Sequence, residues 1–331
     1  MRVTVFGATG FVGGYLIDAL LEHGHHPVLL VRPGSESKAR QAGQCTLING
    51  DIADTGAVRK AIDAADAVIY NIGILREFPA RGVTYKALHF EGARRAMDAA
   101  EAAGVRRFLL MSANGVKADG TGYQRTKYMA EQYLATTGLD WTVFRPSVLF
   151  GDPRGRMEFA TQLYRDVVCS PLPAPLFYDG LLPMDAGMFR MSPVHVKDVA
   201  AVFAKAVDMP ETAGRIIALG GPEALTWKDI LQTIARATGT AKWMLPAPVL
   251  LLKGVAAMLD QYAFFPITRD QLTMLMEGNT CDGYEPFRTF GLVTTPFDTA
   301  NLSYLRIENT RSKRRKPGNN PSEKTPGVRP G

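Results

Sequence analysis

The chain has few of the residues that hold metal ions or cross-link secreted folds. Among its 331 residues are three cysteines and five histidines. Cys45, Cys169 and Cys281 stand too far apart to form a CxxC pair. An odd number of cysteines without framework spacing is typical of a reducing compartment and argues against a structural metal site. We therefore expect no bound metal and a cytoplasmic protein, which could also sit peripherally at the inner face of the membrane.

Long uninterrupted apolar runs are also missing. The longest, residues 244–266, is broken by Pro246, Pro248, Lys253 and Asp260, whereas a bilayer span needs ~20 mostly apolar residues. A helix predicted over Pro248–Gln261 is expected to pack in a core, with membrane or partner contact as the alternative. At the other end of the chain, a strand begins within the first residues, so we expect no cleavable signal peptide.

The excess of positive charge is confined to one end. The net charge is +6, and residues 306–331 hold eight cations against Glu308 and Glu323, which is the whole excess. A basic terminal run is most often solvated, although it can also touch phosphates or anionic lipid. Its Pro, Gly, Asn, Lys and Arg content cannot support a core, so we predict a disordered tail and no specific nucleic-acid binding.

Strand and helix patterns alternate along the first half of the chain. Short apolar runs predict strands at Arg2–Phe6, Pro27–Val31, Cys45–Ile48, Ala67–Tyr70, Arg107–Met111 and Trp141–Arg145. The segments between them predict helices at Phe11–His23, after the capping Asp54, at Val83–Ala103 and at Thr121–Thr137. Continuously apolar strands separated by helices indicate a parallel sheet covered on both faces. The predicted fold class is α/β, a Rossmann-type doubly wound parallel sheet in residues 1–150, completed by about residues 190–220.

The pattern loosens beyond residue 150, where residues 151–189 and 221–305 are predicted to form a smaller, mostly helical substrate lobe. Ser170–Gly187 is rich in Pro and Gly and has the length of a lid or binding loop. The remaining predicted elements are a strand at Arg215–Leu219 and helices at Val196–Val207, Thr226–Thr238, Thr268–Glu277 and near Phe297–Leu305. Apolar side chains in this lobe (Phe177, Tyr178, Met184, Met188 and Phe189) either line a pocket for an apolar or amphipathic ligand or simply pack under the loop.

A glycine-rich turn joins the first strand to the first helix. It reads Gly7-Ala8-Thr9-Gly10-Phe11-Val12-Gly13. Gly7 permits a tight turn, Gly10 lets the backbone approach a pyrophosphate, and Gly13 lets the helix pack closely on the sheet. Free N–H groups at the helix start then bind the phosphates with help from the helix dipole. Its place at the head of an alternating β/α series makes this a specific dinucleotide signal.

The end of the second strand indicates which dinucleotide is bound. Proteins that prefer NAD commonly place Asp or Glu there, on the ribose 2′-hydroxyl. Here the position is held by Arg32, with Ser35 and Lys38 nearby. A guanidinium can grip a 2′-phosphate in a bidentate way. We predict NADPH as the cofactor, with NADH less favoured because Glu36 offers one carboxylate.

Tyr123 and Lys127 are four residues apart, on one helix face. The pair alone proves little, but it opens the helix after the fifth strand, and Ser112 stands at the end of that strand. The reactive crevice of an open α/β sheet lies beyond the carboxyl ends of its strands. Reduction of a carbonyl needs a proton donor, and a nearby ammonium favours phenolate. We therefore assign Ser112, Tyr123 and Lys127 as candidate catalytic residues.

Together these motifs resemble the extended and atypical branches of the short-chain dehydrogenase/reductase superfamily. The resemblance extends to Gly50-Asp51-Ile52, Asn71-Ile72-Gly73 and the run Arg145–Gly151. It implies that Asp51 and Ile52 flank the adenine, that Asn71 and Gly73 pass under the cofactor, and that Lys127 and Pro146 also contact it. Within the superfamily the chain looks most like the NADPH-binding accessory subunit of respiratory complex I and its bacterial relatives.

Three functions remain open from the sequence. The first is an NADPH-dependent reductase of an apolar carbonyl or quinone-like substrate. The second is a non-catalytic NADPH-binding accessory or assembly subunit of a respiratory NADH dehydrogenase complex. The third is a nucleotide-sugar epimerase or dehydratase, which the short loop Gly115–Gly120 between Ser112 and Tyr123 disfavours.

Overall fold

A seven-stranded parallel sheet forms the centre of the molecule in a computed structural model that describes residues 1–249 and 269–306. Its strands follow the order β11-β6-β5-β4-β1-β2-β3. The strands are β1 (Arg2–Phe6), β2 (His26–Val31), β3 (Thr46–Asn49), β4 (Ala67–Tyr70), β5 (Arg107–Met111), β6 (Asp140–Pro146) and β11 (Arg215–Leu219). The strand order reverses between β1 and β4: later strands follow outward from β1 on one side and from β4 on the other. In an open α/β sheet the binding crevice lies at the carboxyl ends of the strands at such a point.

Helices cover both faces of the sheet because its central strands are buried on both sides. Apolar residues of α1 (Phe11–Glu22) and α6 (Val196–Val207) form one core with the sheet. Those of α2 (Thr55–Ile62), α3 (Gly92–Ala102) and α4 (Gly122–Leu134) form a second core on the opposite face. The predicted doubly wound fold is confirmed.

Two predicted helix starts differ from the structure. Thr121 caps α4 through a capping box with Gln124 rather than joining the helix. The helix predicted from Val83 instead opens with a wide π-helical stretch, Lys86–Glu91, that runs directly into α3. This stretch turns His89 toward α4 and matters for the site below.

The second lobe has its own core, which surrounds the buried Trp227 at the start of α7 (Trp227–Thr238). Its remaining elements are β7 (Leu149–Phe150), α5 (Phe159–Leu163), β8 (Ala174–Tyr178), β9 (Arg190–Met191), β10 (Val194–His195), β12 (Leu225–Thr226), β13 (Met244–Pro248), α8 (Arg269–Met276) and α9 (Tyr284–Thr289). The strands form three two-stranded pairs, β7 with β10, β9 with β12 and β8 with β13.

Two expectations for this lobe were wrong, and one open alternative is decided. Ser170–Gly187 is not all loop, since it contains β8, whose backbone pairs with β13. Of the two alternatives for Phe177 and Phe189, packing is the one found, because both stack on the Trp227 ring with centroids 5.8 and 5.6 Å away. Near Phe297–Leu305 the chain makes turns, with helical residues only at 304–306.

Two further sequence predictions lie outside the described residues. They are the helix Pro248–Gln261, of which only the first two residues are described, and the tail beyond residue 306. Within the described ranges, every helix is too short or too polar to cross a bilayer.

Candidate cofactor and active site

The glycine turn after β1 has a geometry that only glycine allows at two positions. Gly7 has φ +90°, and a Cβ there would lie 2.9 Å from the backbone carbonyl of Asn71. A Cβ on Gly13 would lie 2.3 Å from the Gly7 carbonyl oxygen, closer than atoms can approach. The turn is therefore wedged between the chain after β4 and the first turn of α1.

The start of α1 has the properties of an anion site. Gly10 is its N-cap, no described side chain caps the helix, and the first turn carries no acidic residue. A Cβ on Gly10 would approach only the Gly7 carbonyl oxygen, at 3.4 Å, so the outer side of the turn is open. Thr9, Phe11 and Val12 lie partly buried beside it. Uncapped amides together with the helix dipole suit a diphosphate.

The residues predicted for the adenosine half follow β2 and β3. Arg32 lies exposed just after β2, where its carbonyl accepts the N–H of Ser35 in a turn. Asp51 follows β3 and accepts the Ala53 N–H at 2.9 Å. Ile52 is buried, and its carbonyl accepts from Arg95 at 2.8 Å. All three residues thus follow the carboxyl ends of β2 and β3, the two strands on one side of β1.

Of the residues predicted to contact the cofactor from below, Gly73 lies beside Lys127. The Asn71 N–H donates to the Phe6 carbonyl at 3.0 Å, continuing the β1–β4 ladder past the strand end. Gly73 is exposed, and a Cβ there would lie 3.7 Å from Lys127 Nζ. Pro146 is buried at the end of β6, where its carbonyl accepts the Asn114 N–H at 2.9 Å.

Ser112 and Lys127 line the same narrow crevice at the carboxyl end of β5. The Ser112 side chain is 3% exposed. Its Oγ has no hydrogen-bond partner among the residues that the structure describes. Lys127 is buried as well, and its Nζ donates to the Met111 carbonyl at 2.9 Å. A buried hydroxyl without a partner is costly, which singles out Ser112 among the candidate residues.

Burial sets the pKa values of the tyrosine and the lysine in opposite directions. It raises the pKa of the Tyr123 phenol above its usual value. It lowers the pKa of the Lys127 ammonium to about 8, against the opposing charge of Glu131 one turn further along α4. Lys127 Nζ lies 5.9 Å from the Tyr123 ring centroid. The expected lowering of the tyrosine pKa by the lysine is therefore not found in this structure; burial outweighs it.

Glu131 is itself held by a buried ion pair. Both of its carboxylate oxygens accept from the Arg145 guanidinium, one of them from Nε at 3.0 Å. The Glu131 side chain is almost fully buried. This pairing fixes the carboxylate beneath the crevice, where it supports the charged form of Lys127.

His89 is a residue of the site that the sequence did not reveal. It is buried, and its ring stands edge-on to Tyr123 with centroids 5.1 Å apart. Nε2 accepts the Ile74 N–H at 3.0 Å, while Nδ1 lies 3.2 Å from Thr126 Oγ1. Thr126 already directs its hydroxyl proton to the Gly122 carbonyl, at 2.8 Å. Nδ1 must therefore carry the proton of a neutral imidazole.

Burial, reinforced by the charge of Lys127, lowers the pKa of His89 to about 2. The uncharged ring thus forms one side of the site. Its two nitrogens connect α4 to the segment that follows β4. Only the spacing of Tyr85 and His89, one helical turn apart, could have indicated it.

A segment from the second lobe also contacts the site; we call residues 277–280 the strap. Glu277 accepts from Gln124 Nε2 and from Lys117 Nζ, both at 2.8 Å. Asn279 accepts from Asn114 Nδ2 at 2.8 Å. From α8, Asp270 accepts the Gly122 N–H at 3.2 Å. The strap and α8 therefore hold both ends of the loop that separates Ser112 from Tyr123.

The parallel sheet with a glycine turn after β1 resembles that of short-chain dehydrogenase/reductase proteins. A family model described as NAD(P)H-binding matches residues 7–166. This part of the chain is therefore an NAD(P)H-binding domain.

Its relatives include respiratory subunits and reductases. The chain is 25% identical over 316 residues to the mitochondrial NADH-ubiquinone oxidoreductase 40 kDa subunit of Neurospora crassa, covering 93% of this chain and 79% of that protein. It is 25% identical to the ceramide reductase of Caulobacter vibrioides, covering 79% and 78% of the two chains. The crystal structure of gox2253 shares the fold, with a TM-score of 0.73 at 23% identity over 95% of this chain and 99% of that one.

Proposed function

We propose that the protein is an NADPH-dependent reductase that acts on an apolar carbonyl or quinone-like substrate. The observation that carries this proposal is the buried Ser112 hydroxyl, which lacks a hydrogen-bond partner among the described residues and faces the crevice that Lys127 lines. Ser112 would donate a hydrogen bond to a substrate oxygen.

The side chains divide the chemistry of a carbonyl reduction between them. NADPH would supply the hydride that adds to the carbonyl carbon. Tyr123 would donate its phenolic proton to the carbonyl oxygen as negative charge develops there. A raised tyrosine pKa keeps that proton in place at neutral pH. Lys127 would stabilise the phenolate left behind, and exchange of a proton with solvent would restore the phenol.

NADPH is the proposed coenzyme because of the exposed guanidinium of Arg32 beyond β2. The 2′-phosphate of NADPH is a dianionic group that a planar guanidinium can bind through two parallel hydrogen bonds. NADH lacks this group and would gain nothing from Arg32.

A second function is favoured by the relatives. The resemblance to the 40 kDa subunit of an NADH-ubiquinone oxidoreductase covers nearly the whole chain. In that case the protein would bind NADPH for structure, within or beside a respiratory complex at the inner face of the membrane. An epimerase or dehydratase function remains the third and least favoured, because the loop between Ser112 and Tyr123 is short.

Stopped-flow oxidation of bound NADPH by a panel of apolar aldehydes, ketones and quinones tests the proposal. Tyr123→Phe is expected to slow hydride transfer by about 100- to 10,000-fold, with NADPH affinity unchanged. Tyr133→Phe is the matched control on the same helix, since the Tyr133 hydroxyl donates to the exposed Asp98 at 2.6 Å. If every substrate leaves bound NADPH unoxidised and both variants support cellular function, the reductase proposal fails and the accessory-subunit function stands.

A further inference from the structure

The second lobe exposes an unusual amount of apolar surface around the β8–β13 pair. Seven of the thirteen large apolar side chains that are exposed in the described part of the chain belong to this pair and its flanks. Leu181 is 98% exposed, Trp243 is 80% exposed and Leu172 is 71% exposed. Apolar side chains that cluster in this way, rather than lying singly, mark an interaction surface.

Beside the β8–β13 pair lies an open groove of about 610 Å³ between α7 and β13. Its floor is apolar, with Leu176, Ala235 and Met244, and its rim carries three cations, Lys228, Arg236 and Lys242. None of the described residues that line it carries a carboxylate. The nearby Asp229 is engaged instead at the start of α7, where its carboxylate accepts from the Thr226 N–H and hydroxyl at 3.2 and 2.6 Å.

Hydrogen bonds join the groove to the exposed apolar side chains at both of its ends. At one end the Lys228 N–H donates to the Gly187 carbonyl, at the base of the loop that carries Leu181. At the other end Lys242 Nζ donates to the Leu172 carbonyl at 2.5 Å, and Trp243 is the next residue. Exposed apolar residues therefore border the groove near Lys228 and near Lys242, and the loop that carries Leu181 also holds two exposed carboxylates, Asp179 and Asp185.

The charge of this face indicates what covers it. Residues 250–268, which follow β13, contain one carboxylate, Asp260, and one cation, Lys253, so they cannot neutralise three cations. A partner protein that neutralised them would also need apolar patches matched in shape to the leucines and the tryptophan at both ends of the groove, whereas a fluid bilayer needs no such match. An anionic bilayer supplies both negative charge and an apolar phase. Trp favours the membrane interface, leucines enter the acyl boundary, and Lys and Arg bind lipid phosphates.

We propose that this face of the second lobe docks on the surface of an anionic lipid bilayer. The cations would attract the headgroups, and Leu172, Leu181 and Trp243 would insert at the acyl boundary. The inference does not depend on the reductase proposal, since no residue of this face belongs to the candidate cofactor or catalytic site.

Flotation of the full-length protein with vesicles tests the proposal. Vesicles of phosphatidylcholine alone are compared with vesicles containing phosphatidylglycerol, at low and at high salt. We expect binding only to the anionic vesicles, with a blue shift of the emission from the exposed Trp243. Lys228→Gln combined with Arg236→Gln should weaken binding about 30-fold, since each cation near an anionic surface contributes about a fivefold gain. Trp243→Ala should remove the emission shift and weaken binding.

Val293→Glu is the matched control, because Val293 is also apolar and 91% exposed but lies away from the groove. It should bind as the unaltered protein does, and all variants should keep their NADPH affinity and thermal unfolding midpoint. The proposal is overturned if the protein ignores anionic vesicles, if phosphatidylcholine binds equally well, or if Val293→Glu weakens binding as much as the groove variants. Capture by an acidic protein without any vesicle binding would overturn it as well.

Discussion

The cofactor half and the second lobe are built by different kinds of contact. In the cofactor half, long parallel strands and glycine turns bring backbone against backbone, as where Gly7 meets the chain at Asn71. In the second lobe, three two-stranded pairs are supplemented by side chains, as where Glu277 holds Gln124 and Lys117. A turn in which backbone packs against backbone has no room for an added methyl group. A segment held by several exposed side chains can lose any one of these contacts at a small cost in stability.

The largest difference between the two halves, in stability and in NADPH binding, should appear when a methyl group is added to one glycine in each half. Gly13→Ala forces a Cβ to 2.3 Å from the Gly7 carbonyl oxygen. We expect a loss of about 3 kcal/mol in the free energy of unfolding and no measurable NADPH binding. The control is Gly239→Ala at the end of α7, where φ is +66° but no atom lies within 4 Å of the new Cβ. It should cost about 1 kcal/mol.

Chemical denaturation and calorimetric titration with NADPH measure both quantities. Equal losses of stability in the two variants would contradict the claim that the glycine turn is wedged in place.

A smaller effect is expected at the adenosine end of the cofactor half. Arg32→Ala should weaken NADPH by about 10- to 100-fold, because a charge-assisted hydrogen bond contributes about 1.5–3 kcal/mol. NADH affinity should hardly change. Arg215→Ala is the control, since Arg215 is also exposed but begins β11 at the amino edge of the sheet. Equal weakening of NADPH and NADH by Arg32→Ala would refute the assignment of Arg32 to the 2′-phosphate.

The pH dependence of the reaction should reflect the buried Lys127. Its pKa is lowered by burial to about 8, so the ammonium is lost as the pH rises through 8. Hydride transfer should then fall about tenfold per pH unit above that value. Lys127→Arg keeps its charge and should give a flat profile over the same range. A profile of the unaltered protein that stays flat to pH 10 would rule out a role for the ammonium.

The same shift predicts how stability depends on pH. The folded pKa of Lys127 lies below its unfolded value of 10.5, so the unfolded chain binds more protons between pH 8 and 10.5. The contribution of Lys127 to the free energy of unfolding should therefore rise with pH across that window. Lys127→Met should remove the rise, which urea denaturation at a series of pH values can measure.

The smallest effect is expected for a side-chain contact between the halves. Glu277→Gln removes the charge opposite Lys117 in a partly exposed pair, which is worth about 0.2–1 kcal/mol. We expect a loss of that size in urea denaturation, with the NADPH affinity unchanged. Glu285→Gln removes the exposed pair with Arg288 within α9 and is the control. A loss of several kcal/mol would show that the strap is as sensitive as the glycine turn.

The same contrast explains how far the sequence could predict the structure. Buried parallel strands such as Val28–Val31 are continuous apolar runs, and all seven central strands were predicted to within a residue or two. Pairs such as Leu149–Phe150 with Val194–His195 involve two residues a side and leave no periodic signal. The strand Ala174–Tyr178 was missed because Pro175 lies within it and Pro173 comes just before it, and prolines usually mark loops.

In the candidate site, motifs predicted which residues lie together and missed how they are held. Ser112 and Lys127 share one crevice, as their places after β5 and on α4 indicated. The burial that raises the pKa of Tyr123 depends on His89, which lies in a π-helical stretch with no distinct sequence pattern, and on Tyr85, which immediately precedes that stretch. The strap reaches the site from more than 150 residues away, beyond any local signal.

The Gln124 amide has a mechanical consequence. It is bonded to the Gly115 carbonyl, to the Thr121 N–H and to Glu277, and its neighbour in the chain is Tyr123. One amide thus ties the loop after β5 and the strap to the first turn of α4, beside the candidate proton donor Tyr123.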